Sequence, residues 1–317
     1  MMGMIQTVQT NDSIMQAATV SAAMMQDWLK FLDAKPKTTA TYTRNIRQFW
    51  EYLRERGIHQ PTREDVLAYK DYLTTSGKAA ATARGYLIAV RLFFQWTADR
   101  GIYPNIADHI KAPKVEQYFH KDHLTTRQAR RLLSSCDRST EAGTRDFAIL
   151  SLMITTGLRT IEVSRANIED IQTAGDDTVL FIQGKGRDDR AEYVKLSAVI
   201  EDAIRDYLTY RDESSGPLFV SVAHRNAGSR MTTRSISRIV KDHLKEVGLN
   251  SDRLTAHSLR HTAAHLMIDA GENLRNVQQV LRHANINTTM IYLKQKNREN
   301  NNGELKAAWA IFGKGRK

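Results

Sequence analysis

At 317 residues, with 41% hydrophobic content and four Trp, the chain is long enough for two domains with separate cores and is not a disordered polymer. Its net charge of +11 is not confined to a tail: residues 1–121 hold 16 basic and 11 acidic side chains and residues 122–317 hold 30 and 24, so both halves can face one polyanion, nucleic acid being the obvious candidate. A single cysteine, Cys136, excludes a disulfide framework and a cysteine-based metal site, and the lack of a signal peptide or of eighteen consecutive apolar residues predicts a cytoplasmic protein with no membrane span.

Residues 1–20 are polar and read as a flexible lead-in. From Ser21 the apolar residues Met24, Met25, Trp28, Leu29 and Leu32 form one helical stripe. A second helix begins near Lys37–Thr39, buries Tyr42, Ile46, Phe49, Trp50 and Leu53, and ends at Gly57. Thr62 and Asp65 have the spacing of a capping box for a third helix through Tyr72. The fourth runs from about Ala79 to Arg100, with Tyr86, Ile88, Ala89, Leu92, Phe93 and Trp96 inward. Four amphipathic helices with short connections predict a compact bundle over residues 21–107. Its aromatic stripes read as core, whereas Arg44, Arg47, Arg84 and Arg91 lie on the outer faces.

Periodicity disappears over residues 108–122, where Pro113 sits among lysines; this reads as a basic interdomain linker. Thr125 or Thr126 then caps a helix through Leu133, and a buried helix spans Arg145–Thr156 until Gly157 breaks it, with Arg159 on the turn. Three strands are predicted at Ile168–Ile171, Thr178–Gln183 and Ala191–Leu196, the last two joined by a hairpin with Lys185 near its tip. Helices follow at Ala198–Arg211, Thr232–Val247 and from Ala256 to Gly271, and a short one is predicted to carry Arg282 and His283. Residues 295–303 form a polar break before a final apolar face of Leu305, Ala308, Trp309 and Phe312.

The chemistry concentrates between Ala256 and Leu293. His257 and Arg260 stand three apart, Arg282 and His283 follow, and Tyr292 comes nine residues after that histidine. Cationic and proton-handling pairs beside one phenol suggest a site built around a phosphate. Each piece alone has a plainer reading: an Arg after Thr-Gly-Leu can cap a helix, a hairpin lysine is usually solvated, and a Tyr in MIYL is usually core. Histidines 257, 261 and 265 have the four-residue step of a metal-ligand face, but no carboxylate or cysteine accompanies them and Arg260 would adjoin the ion, so no metal is expected. GKGR lacks the spacing of a phosphate-cradling loop, and no cofactor is expected.

Order decides between these readings. Arg159 in TGLRTIEV, Lys185 on a hairpin, His257 and Arg260 in HSLR, His283 and Tyr292 occur in the succession and contexts of the tyrosine recombinase family, which this chain resembles over nearly its whole length. The resemblance implies a mainly α fold with a small antiparallel β-sheet: a four-helix SAM-like core-binding domain (21–107) and a mixed α+β catalytic domain (123–294). Residues 295–317 would be a flexible linker and docking helix. It implies strand cleavage and rejoining through a 3′-phosphotyrosine on Tyr292. Arg159 and Arg260 would clamp the phosphate, Lys185 would protonate the departing 5′ oxygen, His257 would assist proton transfer and His283 would hydrogen-bond the phosphate. Glu162 would support the site structurally. The partner implied is a double-stranded DNA recombination site, contacted by Thr39, Arg44, Arg47, Arg84, Arg91, Arg230 and Arg234. The chain would bind it as a homo-oligomer, a dimer per site and a tetramer in the synapse, joined through the C-terminal helix. Residues 1–20 are too short for the arm-site-binding domain of lambda-type integrases, so an Xer-like architecture is expected. A type IB topoisomerase would share the chemistry, and a silent DNA-binding regulator would share the fold.

Overall fold

A computed structural model describes residues 22–114, 122–184, 189–287, 289, 290, 292 and 303–313. The chain divides into two compact units, Met1–Tyr118 and Phe119–Lys317. As expected from the sequence, it is mainly helical with one small antiparallel sheet.

In the first unit, α1 (Ala22–Phe31), α2 (Pro36–Glu55) and α3 (Arg63–Thr75) all pack on α4 (Ala80–Asp99). The sequence of α4 explains its central place: Ala83, Leu87, Ala89, Val90, Phe93, Phe94 and Trp96 bury more than one face. Aromatic edges interlock there, Trp28 with Phe93 at 5.5 Å and Phe49 with Tyr69 at 4.9 Å between ring centres. Each fully buried ring contributes about 2 kcal/mol by leaving water. The Thr62 backbone N–H donates to Asp65 at 2.7 Å, closing the capping box that starts α3. Ile110, within the stretch read as linker, is buried in the core of this bundle, as is Ala107 just before it. Residues 115–121 and the lead-in 1–20 lie outside the described residues.

The second unit is built around α6 (Glu141–Thr156), against which α5 (Thr126–Leu133), α8 (Ala198–Leu208), α9 (Thr233–Glu246) and α10 (Ala256–Asp269) pack. Eleven of its sixteen residues are buried, so it takes the interior position. Its first turn lies ahead of Arg145, where Thr140 caps the Gly143 N–H at 3.1 Å. Strands β1 (Ile171–Ala174), β2 (Asp177–Ile182) and β3 (Glu192–Lys195) form an antiparallel sheet in sequence order. Ile171 faces Leu180, which in turn faces Val194, and this register sends Leu180, Ile182 and Val194 into the core. The strand expected at Ile168–Ile171 is displaced. Asp170 accepts a 2.8 Å bond from the Asn167 backbone N–H, which curls Ile168–Asp170 into a 3-10 turn and delays the strand to Ile171.

Two short helices complete the site-bearing part, α7 (Thr160–Arg165) and α11 (Leu274–Leu281). The last, α12 (Gly303–Phe312), buries none of its residues. No helix among the described residues is long and apolar enough to cross a membrane.

Candidate active site

The site begins where α6 ends. Gly157 adopts φ 65°, a left-handed turn that glycine makes without strain, and a Cβ there would also collide with the Leu281 side chain. This turn lets the chain double back so that Arg159 becomes the N-cap of α7. Glu162, one turn on, accepts the Arg159 backbone N–H at 2.7 Å and its Nη1 at 2.8 Å. Glu162 is 1% exposed, and a buried carboxylate needs compensation. A second guanidinium supplies it: Arg282 Nη2 donates to the same carboxylate at 3.0 Å, across 120 positions of sequence. Burial alone would raise the Glu162 pKa, but Arg282 and Arg159 together hold it below the ordinary carboxylate value.

The other wall is α10, started by Thr255 and Ser258 in a capping box. Arg260 projects from its first turns into the interior, 1% exposed. Its Nη1 donates to the Gly157 carbonyl at 2.6 Å and its Nη2 to the Leu281 carbonyl. One side chain thus ties together the ends of α6 and α11. Burial, then the nearby charge of Arg159, presses its pKa down. His257 lies one turn earlier on the exposed side, its ring edge-on to His261 at 4.6 Å.

Arg282 and His283 lie not on α11, as the spacing predicts, but just beyond it. Arg282 takes φ 54°, ending the helix in a left-handed cap, and this redirects its fork toward Glu162. His283 Nδ1 meets the Thr289 hydroxyl at 2.8 Å. Burial, followed by the charges of Arg260 and Arg159, holds its pKa down to about 4, so the ring is neutral at physiological pH.

Tyr292 is 1% exposed and packs with Ala264, Ile268, Val277 and Leu281. Its hydroxyl lies 2.7 Å from His261 Nδ1, and its ring meets those of His265 at 5.5 Å and His283 at 6.3 Å. Burial raises its pKa to about 12, against the pull of Arg260 and Arg159. The four-residue histidine step therefore puts His261 and His265 on the face that holds the phenol. Sequence reasoning missed both contacts. Among the described residues no cluster of His, Cys, Asp and Glu is placed to hold a metal ion.

The structure thus brings Arg159, Glu162, Arg260, His283 and Tyr292 into one neighbourhood. Lys185 lies outside the described residues, although the flanking strands β2 and β3 are in place. Arg44, Arg47, Arg84, Arg91 and Arg234 are exposed, and Thr39 is half-buried with its hydroxyl on the Pro36 carbonyl at 2.8 Å. Arg230 is exposed as well but is engaged by the protein itself. Its fork bonds the carbonyls of Ser164 and Ala166 and the Asn167 side chain, so it fastens the end of α7.

Residues 122–299 match the phage integrase family, and residues 23–103 match the N-terminal SAM-like domain of phage integrases. The tyrosine recombinase XerC of Pelobacter propionicus is 34% identical over 264 residues, covering 81% of this chain and 84% of its own. XerD of Listeria monocytogenes is 29% identical over 288 residues, covering 85% and 93%. Among solved structures, the XerH site-specific recombinase bound to a palindromic difH substrate matches with a TM-score of 0.68 at 22% identity, over 92% of this chain and 85% of that one. A lambda integrase dimer bound to a core site matches with a TM-score of 0.66 at 17% identity, over 84% and 75%. At these identities the structural likeness concerns the fold.

Proposed function

The chain belongs to the phage integrase family and is a site-specific tyrosine recombinase, and from that premise we propose that Tyr292 is the nucleophile and Arg159, Arg260 and His283 the phosphate site. The observation that carries the assignment is convergence: Arg260 bonds the carbonyls of Gly157 and Leu281, each two residues from Arg159 and His283 respectively, and the Tyr292 ring lies 6.3 Å from that of His283. A site with two guanidinium groups, one neutral imidazole and one phenol suits in-line displacement at a phosphodiester. The phenolic oxygen attacks phosphorus, the bond to the 5′ oxygen breaks, and a phosphotyrosine to the 3′ end forms. Arg159 and Arg260 stabilise the nonbridging oxygens as charge builds on them, with planar forks matched to that geometry. Neutral His283 donates one further hydrogen bond. By family resemblance Lys185 gives its proton to the 5′ oxygen, and His257 assists proton transfer by taking up the proton that the attacking phenol loses. Rejoining reverses these steps, and because the linkage preserves the ester bond energy, no nucleotide is consumed.

The phenol is buried and protonated in this arrangement, so the segment bearing Tyr292 must shift for its oxygen to meet a phosphate. Double-stranded DNA is the substrate in this reading, gripped by the exposed arginines of the first unit. Solved relatives include a lambda integrase dimer on a core site and a tetramer on a Holliday junction, which supports a dimer per site and a tetramer in synapsis. The apolar residues of α12 are exposed, Trp309 at 42% and Phe312 at 83%, which supports docking of this helix on a neighbouring copy. The cytoplasm, where the DNA lies, is the place of action. The named relatives are recombinases and lend nothing to a topoisomerase or a silent regulator.

The test uses duplex DNA selected from a random-sequence pool on full-length Tyr292→Phe protein. Wild-type protein should form an SDS-resistant adduct with that duplex, and Tyr292→Phe should bind it without forming one. An adduct that persists in Tyr292→Phe would place the nucleophile elsewhere.

A further inference from the structure

The family residues account for two of the three guanidinium groups at this site, and the third is Arg282. Three observations single it out. Its backbone sits at φ 54°, a conformation that favours glycine, yet the residue is the longest of cations. Its side chain is 7% exposed, so the charge is held inside the protein. Its fork is aimed: Nη2 bonds Glu162 at 3.0 Å, Nη1 bonds the Val280 carbonyl, and Nε stands 4.0 Å from Glu192 across the neighbouring cleft. That cleft, about 560 Å³, is lined by Glu192, Tyr193, Arg275, Gln278, Arg282 and His283 among others.

Charge counting says what the arrangement does. Arg159 is bonded to buried Glu162, and the two alone sum to zero, which would leave a phosphate facing a neutral pair. With Arg282 on the same carboxylate, the trio carries one net positive charge, and Arg260 adds a second. In a site sheltered from water that difference is felt strongly by an incoming anion. We infer that Arg282 is a positioning residue for strand transfer, whose charge occupies Glu162 so that Arg159 keeps its own charge for the phosphate. Arg282 need not touch DNA to do so. A left-handed cap at this position serves the purpose, because it turns the side chain back across the end of α11 toward α7.

This inference rests on the recombinase reading, and the test separates the two. Full-length variants Arg282→Lys and Arg282→Gln have the same left-handed backbone to satisfy and differ in charge. Adduct formation on the selected duplex is timed for each beside wild type and Tyr292→Phe, with DNA affinity and thermal unfolding recorded. An adduct in wild type that is absent in Tyr292→Phe secures the reading itself. Arg282→Gln should then form adduct about tenfold or more slowly at saturating DNA, while Arg282→Lys stays within a few-fold of wild type. Arg282→Gly, which relaxes the backbone, should be as slow as Arg282→Gln even if it melts higher. Adding Glu162→Gln to Arg282→Gln should recover part of the rate, since the uncompensated charge is then gone. Equal slowing of the Lys and Gln variants, or a wild-type rate in Arg282→Gly, would overturn the proposal. Loss of adduct in wild type would overturn the reading beneath it.

Discussion

Two regions of the second unit invert the usual rule of burial. At the junction of α7, α10 and α11, two guanidinium groups and a carboxylate lie inside the protein with a third, Arg159, half-buried beside them; Arg260 and Glu162 are each 1% exposed. On α12 the reverse holds: Leu305, Trp309, Ile311 and Phe312 face outward, at 52%, 42%, 74% and 83% exposure. Buried charge is tolerated only where it is paired and bonded, and an exposed apolar face is normal only where a partner covers it. In the first region most of the compensation is internal, because Glu162 and the carbonyls of Gly157 and Leu281 take up the forks. An excess of positive charge remains, which suits a phosphate. In the second region no residue of the helix is buried. In the function proposed above, the first region is finished by substrate and the second by another copy.

The largest effect tests the excess charge. Arg159→Ala should slow adduct formation about a hundredfold to a thousandfold, the cost of one preorganised donor to a developing charge, with little change in DNA affinity at saturating protein. Single-turnover kinetics on the selected duplex measures it. A rate within threefold of wild type would mean that Arg159 serves only to balance Glu162.

Next comes the pairing itself. Glu162→Ala leaves buried Arg282 with only the more distant Glu192, 4.0 Å away, as counter-charge and removes the N-cap bond to Arg159. Breaking a buried pair in this way costs about 3 kcal/mol, and chemical denaturation of the second unit's transition should show it. Glu162→Gln, which keeps an acceptor, should lose less. If the alanine variant unfolds at the wild-type midpoint, the carboxylate is not holding the cluster together.

Much of this fold was legible because its signals are local. The apolar stripes of α1 to α4, the Thr62–Asp65 capping box and the Gly157 break all lie within a few residues of what they determine. The order of Arg159, Arg260, His283 and Tyr292 was enough to group them. What spacing could not show is held by distant partners. Arg282 looks like part of α11 until Glu162, 120 positions away, is placed beside it, and the His261–Tyr292 bond joins residues 31 apart. The Ile168 strand was misplaced by a nearer competitor, the Asp170 side chain, which outbid β propensity with a turn. Only Glu162, three residues from Arg159, was close enough to be read as a support.

A smaller effect follows from acid. His283 has a pKa near 4 in the fold and near 6.5 when unfolded, so as pH falls through that window the unfolded chain takes up a proton that the folded site refuses. Glu162, held low by Arg282 and Arg159, adds a contribution present above the ordinary glutamate value and lost as pH falls through its lowered one. Both act in one direction but in different windows: His283 makes stability decline between pH 6.5 and 4, by at most about 1.4 kcal/mol per pH unit, and Glu162 adds its loss only below the ordinary glutamate value of 4.5. Melting curves of wild type and His283→Gln across that range decide it, since the substitution should flatten the slope. His243 works oppositely, because Asp146 and Cys136 raise its pKa to about 10, and its contribution is present below pH 6.5 and fades toward pH 10. A slope that His283→Gln leaves unchanged would show that the ring is already charged in the folded site.

The smallest expected effect bears on the outward face of α12. A tryptophan packed in a core loses about 3 to 5 kcal/mol on truncation to alanine, and Trp28 or Trp96, each 2% exposed or less, should behave so. Trp309→Ala should change the stability of the dilute, DNA-free protein by no more than about 0.5 kcal/mol, because at 42% exposure on a helix without buried residues it has little packing to lose. The same substitution should matter as soon as two copies meet. Full-length Trp309→Ala and a chain ending at Asn302 should bind a single selected site almost as wild type does, yet lose cooperative filling of paired sites and strand exchange. Gel-shift titrations on single and paired sites separate these outcomes. If Trp309→Ala instead destabilises the lone protein by 2 kcal/mol or so, the helix is docked on its own chain, and the contrast between an internally compensated centre and an externally compensated tail collapses. If stability and pairing are both untouched, α12 is covered by neither, and the inter-copy contact must be sought on another surface.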